Sequence, residues 1–183
     1  LSIDSQEKFK KYTQGTLSIS SGIGIYECTY PIGAIANETG EMEAESKRMP
    51  EKDSVTFMDD GETHLINELE ICDGTYRWEE LYKSVLGEKY DVIQDFLGES
   101  DERGMSFLYR MLELIRNQKE KINFARFVYL LSRLEPDKEG EKKEKYRKFS
   151  RKMYQWVQSE KDCRELKTAI NLYAYMHREK GAH

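Results

Sequence analysis

The stretch Thr16–Tyr26, TLSISSGIGIY, decides the fold class. Leu17, Ile19, Ile23 and Ile25 alternate with small residues, and a period of two is the pattern of a strand. Upstream, DSQEKFKKYT at 4–13 reads as the end of a charged helix that Gly15 stops. Downstream, residues 32–47 read as a helix, with Ile32, Ile35, Ala36, Met42 and Ala44 as apolar candidates and Glu38, Glu41, Glu43 and Glu45 on the wet face. SVTFM at 54–58 is a second strand. Residues 1–60 therefore read helix–strand–helix–strand, half of a sandwich of sheet and helices. Two strands do not make a stable sheet alone, so the missing partner strands are expected upstream of this stretch.

Residues 59–74, DDGETHLINELEICDG, are acidic and bounded by Gly61 and Gly74. The reading places a linker at 61–74, although Leu65–Ile71 also suits a short strand or helix. From 75 to 183 the pattern predicts helices. Trp78, Leu81, Tyr82, Val85 and Leu86 have helical spacing, with Gly87 as a stop, and Ile93, Phe96 and Leu97 form a short helix ended by Gly98. Phe107, Leu108, Met111, Leu112, Leu114 and Ile115 stripe the next. INFARFVYLLSRL at 122–134 holds an unbroken apolar run and is expected to be the central, most buried helix, ended by Pro136. Tyr146, Phe149, Met153, Trp156 and Val157 stripe one more helix, and Leu166, Ala169, Ile170, Tyr173 and Met176 the last. Short connections imply antiparallel neighbours, hence a helical bundle. The fold class is α+β: a partial sheet-and-helix domain over 1–60, then an all-α bundle over 75–183.

Of the 183 residues, 38% are hydrophobic and 34% charged, a balance that favours a soluble, helix-rich protein with a heavily charged exterior. No apolar run approaches the roughly 20 residues of a membrane span, and no signal-peptide pattern opens the chain, so a cytoplasmic protein without membrane contact is expected. Cys28, Cys72 and Cys163 are odd in number and lack metal-ligand spacing, which predicts reduced thiols. His64, His177 and His183 share no local spacing, so no metal site is expected. The net charge of −5 hides an asymmetry. Residues 1–60 hold 11 acids and 6 bases, and 61–104 hold 12 and 4, whereas 105–183 hold 11 acids and 19 bases. An acidic front and a basic rear suggest different partners.

Catalytic signals are sparse. Asp59-Asp60-Gly61 suits a divalent cation but has no third ligand at supporting spacing, so a solvated turn is the better reading. Ser20-Ser21-Gly22 offers hydroxyls and bare backbone to a ligand, against the plain alternative that Gly22 and Gly24 permit close packing. No histidine is placed to activate a serine. The strongest generic signal is KEGEKKEKYRKFSRK at 138–152, with eight bases and three acids. Lys145, Lys148 and Lys152 are read as a helical stripe roughly opposite Phe149 and Met153. It is either an ordinary solvated face or a contact for phosphates or an acidic protein.

Several segments in order resemble the large signature subunit of type III-A CRISPR–Cas (Csm) effectors: LSISSGIGIY at 17–26, YPIGAIANETGEMEAESK at 30–47, SVTFM at 54–58, TYRWEELYKSVLGEKYDVIQDF at 75–96, RGMSFLYRMLELI at 103–115, INFARFVYLLSRLEP at 122–136 and the terminal helix to 179. The resemblance implies a partial ferredoxin-like palm followed by a helical domain similar to the effector's small subunit. In that family a palm makes cyclic oligoadenylate from ATP and magnesium when guide RNA captures target RNA, and an HD domain cleaves single-stranded DNA. The family's metal-binding Gly-Gly-Asp-Asp motif and HD domain are not in this sequence, so the chain alone is expected to be inactive and to hold neither ATP nor magnesium. It is expected to begin in the palm helix that follows that motif. By the resemblance, Ser20 and Gly22 fall on a strand lining the nucleotide pocket, with Ser21 replacing the family's alanine. Lys47 falls on a lysine ending the next helix, which approaches phosphates in related cyclase domains. The implied partners are the small subunit and other Csm subunits, guide RNA and target RNA. The alternative that the residues alone leave open is a stand-alone basic helical nucleic-acid-binding or scaffold protein without catalysis.

Overall fold

The computed structural model describes residues 2–50, 52–58, 61–98, 102–116, 121–137 and 139–177. Asp59, Asp60, Lys138 and His183, which entered the sequence reading, lie outside the described residues. The chain divides into two compact units, Leu1–Ser84 and Val85–His183.

The first unit opens with α1 (Ser2–Tyr12), stopped as expected at Gly15, whose φ is 76°. Strand β1 (Ser21–Ile23) leads into α2 (Ile32–Ser46) and returns as β2 (Ser54–Phe57), parallel to β1. Only three residues of the alternating stretch join the ladder. A further strand, β5 (Thr75–Arg77), pairs antiparallel with β2 and completes a sheet in the order β1-β2-β5. The expectation of helix from residue 75 is corrected here: Thr75–Arg77 is too short to show a period, yet it covers the second edge of β2.

All four residues of β2 are buried. Its polar members are satisfied inside: the Ser54 hydroxyl donates to the Ser46 carbonyl at 2.6 Å, and the Thr56 and Thr75 hydroxyls pair at 2.8 Å. Residues 61–74 contain a hairpin, β3 (Thr63–Ile66) and β4 (Leu69–Cys72). Its two-residue turn puts Asn67 and Glu68 at positive φ, 49° and 68°, the geometry that matches strand twist.

Beyond β5, α3 (Trp78–Glu80) runs into a π-helical stretch, Leu81–Tyr90, and then α4 (Asp91–Leu97). Gly87 does not stop this helix. A glycine ends a helix by taking a left-handed conformation, and Gly87 is not among the residues with positive φ.

The second unit contains α4, α5 (Glu102–Arg116), α6 (Lys121–Ser132), α7 (Glu141–Trp156) and α8 (Glu160–Met176). Phe149 of α7 stacks on Phe96 at 4.1 Å between ring centres and meets Phe107 at 6.5 Å with the rings tilted by 55°. The central helix is α8, not 122–134. Every residue from Cys163 to Ile170 is buried, whereas α6 buries Asn123, Phe127 and Leu131 on one narrow stripe and exposes Phe124 and Tyr129. The apolar run does not make α6 central, because consecutive residues point in successive directions around a helix, and in one packed on a single side only every third or fourth reaches the core. No helix among the described residues is long and apolar enough to cross a membrane.

Candidate functional site

The crossover from β1 through α2 to β2 gathers candidate residues at one end of the sheet. Two parallel strands begin at the same end, and the helix between them must finish there. Ser20 directly precedes β1 and its hydroxyl donates to the Lys52 carbonyl just ahead of β2. Lys47 caps the end of α2, where Ser54 holds the Ser46 carbonyl. Ser20 and Lys47 therefore share an end with Asp53, which accepts from Gln6 Nε2 at 3.3 Å and pairs with Lys10 at 3.6 Å. Trp78 fastens the same end by donating Nε1–H to the Ile19 carbonyl at 2.8 Å.

The chemistry available here is cationic and weakly committed. Lys47 Nζ lies 2.6 Å from Glu43 one turn back, and both side chains are about half exposed. Such solvent-exposed pairs contribute about 0–1 kcal/mol, so a phosphate can take the ammonium at small expense. The Ser20 oxygen donates once and keeps its lone pairs for accepting.

Gly22 behaves differently from Ser20. A Cβ there would lie 2.4 Å from the Thr39 carbonyl oxygen and 2.7 Å from Met42 Cβ, so its bareness lets α2 sit close on β1. Gly24 likewise admits the ring of Tyr26, 2.4 Å from where a Cβ would stand. At the other end of the crossover Tyr26 stacks on Tyr30, and the Tyr30 hydroxyl donates to Glu38. That bond to a carboxylate raises the Tyr30 hydroxyl above the ordinary tyrosine range, and burial followed by the Glu38 charge raises Tyr26. Glu45, expected on the wet face of α2, instead accepts the Cys72 N–H at 2.9 Å and pairs with Arg48 at 2.7 Å.

The lysine stripe of α7 is not opposite the core. At 3.6 residues per turn, Phe149 is only about 40° from Lys145 and about 60° from Lys152 around the helix axis. Lys145 pairs with Glu141 at 3.7 Å. Lys152 folds inward, 2.7 Å from Glu88 and over the Trp156 ring at 5.8 Å. The Lys152 hydrogen bond is the main reason Glu88 titrates below the usual carboxylate range. Lys148 is exposed and forms no ion pair among the described residues.

Beside Lys152 lies a charge network that the sequence reading missed. Lys89 is 2% exposed and Glu165 1%. Lys89 Nζ stands 2.6 Å from Glu165, 2.8 Å from Asp162 and 3.5 Å from Glu88, with the Trp156 ring 5.4 Å away. Burial pushes the Lys89 ammonium down, but the hydrogen bonds it donates to Asp162 and Glu165 outweigh it and hold its pKa above the usual lysine value. A helical-wheel reading assigns such residues to the surface. The available signal was the acid spacing Asp162–Glu165 on a helix that also carries the apolar stripe Leu166, Ala169, Ile170 and Tyr173.

Among the described residues no group of three or more His, Cys, Asp or Glu is placed to hold a metal ion. Cys28 is exposed, Cys72 and Cys163 are buried, and all three are free thiols. His64 sits 3.2 Å from Asp73.

Residues 94–179 match the family model described as the CRISPR RNA silencing complex Cmr2 subunit, second helical domain. The chain is also similar to three proteins named CRISPR system single-strand-specific deoxyribonuclease Cas10/Csm1 (subtype III-A). It is 35% identical to the Mycobacterium tuberculosis (strain ATCC 25618 / H37Rv) protein over 97% of this chain, 32% identical to the Streptococcus thermophilus protein over 94%, and 35% identical to the Enterococcus italicus protein over 95%. The chain spans only 20%, 22% and 20% of these relatives, respectively.

Proposed function

The chain belongs to the Cas10/Csm1 family of type III-A CRISPR effector large subunits, and on that premise we propose that it contributes one wall of a nucleotide pocket and an assembly bundle to such a subunit. The first unit is read as part of the palm that makes cyclic oligoadenylate from ATP. Magnesium would be held by a Gly-Gly-Asp-Asp hairpin, a motif this chain does not contain. The observation that carries the reading is that Ser20 and Lys47 stand at the same end of the β1–α2–β2 crossover. Lys47 would serve as a flexible point charge for a phosphate, and Ser20 as a hydroxyl donor or acceptor. Gly22 supports the pocket by keeping α2 close to β1.

The second unit is read as the surface that meets neighbouring effector subunits, the small subunit among them, and the guide and target RNA. Of the proposed contacts Lys145, Lys148 and Lys152, Lys148 is the most available. Cleavage of single-stranded DNA, named for the relatives, belongs on this reading to an HD domain elsewhere in the complete protein.

The test is oligoadenylate synthesis by the assembled effector across an ATP titration. One charge-assisted contact is worth about 1.5–3 kcal/mol, so Lys47→Ala is expected to raise the KM for ATP roughly ten- to hundred-fold. Unchanged kinetics in a folded Lys47→Ala effector would return Lys47 to helix capping.

A further inference from the structure

One exposed basic surface of the second unit lies on α6 and the turn that follows it. Arg126, Tyr129 and Arg133 fall at i, i+3 and i+7 and so lie on one face. All three are exposed, Tyr129 by 63%. The Arg133 guanidinium lies over the Tyr129 ring at 6.0 Å. Neither arginine forms an ion pair among the described residues, in contrast to Lys145 and Lys152 of α7. The sequence from 121 to 134 contains no Asp or Glu, in a chain whose net charge is −5. The charge on this face is therefore unneutralised by its own helix.

We propose that this face of α6 is a docking strip for single-stranded RNA, with Arg126 and Arg133 on phosphates and Tyr129 stacked on a base. The Cα atoms of the two arginines are about 10 Å apart along the axis with Tyr129 between them in the chain, and the Arg133 guanidinium covers one side of that ring. Arginine and an exposed aromatic together are what a flexible strand requires: a cationic track for its backbone and a platform for its bases. A protein partner would want an apolar centre to desolvate. Among the described side chains of this face, Tyr129 is accompanied only by the small Ala125 and Ser132 and the two arginines. The observations favour the nucleic acid. The proposal rests on the effector reading only for the identity of the strand as RNA, and it is independent of the ATP pocket.

The experiment uses the complete subunit and a fluorescein-labelled oligouridylate, titrated over a range of salt concentrations. Arg126→Glu/Arg133→Glu is expected to weaken binding at least tenfold at low salt. It should also flatten the log–log salt dependence by about 1.4, or about 0.7 per phosphate contact on a single strand. Tyr129→Ala should weaken binding several-fold with the salt slope unchanged, and ultraviolet crosslinking should recover the labelled strand on the peptide carrying Tyr129. Thermal melts that match the wild type exclude misfolding as the cause. Arg126→Lys/Arg133→Lys, which retains charge, should keep the slope and serves if the Glu variant fails to fold. Equal affinities and slopes in folded variants would overturn the proposal. So would loss of a partner subunit from the purified complex with oligouridylate binding unchanged, which would assign the face to protein. Failure of the ATP reading would appear in the KM for ATP and leave these readouts where they are.

Discussion

The two units handle charge in opposite ways. In the first, the residues of interest stand at the rim of a sheet whose interior is made of hydroxyls and apolar side chains, and Lys47 is only loosely held by Glu43. In the second, the central helix carries charge into the interior, where Lys89 and Glu165 are almost fully enclosed. Charge at a rim remains available to a ligand, whereas enclosed charge is committed to the fold. The same contrast recurs on a smaller scale between α7 and α6. Of the three candidate lysines of α7, Lys145 and Lys152 are paired, whereas Arg126 and Arg133 form no ion pair among the described residues.

The largest effect should come from breaking the enclosed network. Lys89→Met leaves Glu165 buried without its main partner, and removing one member of a buried pair costs about 3–5 kcal/mol. The transition of the second unit should fall steeply in a thermal melt, with the first unit's transition unmoved. A melt in which Lys89→Met matched the wild type would show that the network is not structural. Next is close packing in the first unit. Gly22→Ala puts a methyl 2.4 Å from the Thr39 carbonyl, and overpacking of this kind costs about 1–3 kcal/mol. Here the first unit's transition should move and the second's should not.

A smaller effect has a pH signature. Because the folded-state pKa of Glu88 is depressed, its pairing with Lys152 stabilises the fold above the unfolded glutamate value of about 4.3 and is lost as pH falls through the lower folded value. Lys152→Met should remove up to about 1 kcal/mol near neutrality. It should also flatten the stability profile in that acid window, read by denaturant melts at several pH values. An unchanged profile would contradict the assigned cause. The smallest expected change is a gain. Glu68 holds φ at 68° in the hairpin turn, where glycine carries no steric penalty, so Glu68→Gly should stabilise the first unit by up to about 1 kcal/mol.

How much of this was legible in the sequence depended on length and period. The α1–β1–α2–β2 order followed from runs long enough to show a period of two or of 3.6. Thr75–Arg77 was not legible, because three residues carry no period and the strand exists only by pairing with β2. The central position of α8 was hidden by Lys167, Arg164 and Glu165, which read as solvent-facing although all three are buried, Glu165 against the Lys89 ammonium. Ser20 and Lys47 share an end of the sheet because a parallel crossover returns the chain there. The arginines of α6 were visible as letters. Their availability was not, since it depends on which carboxylates lie within reach.

The measurement that tests the account most directly runs both ligands on both variants in the assembled, full-length effector. Lys47→Ala should raise the KM for ATP in oligoadenylate synthesis and leave oligouridylate affinity of the complete subunit unchanged. Arg126→Glu/Arg133→Glu should lower that affinity and leave the KM for ATP within twofold. A result in which either variant moved both readouts together, or neither variant moved its own, would contradict the division of labour between rim and bundle.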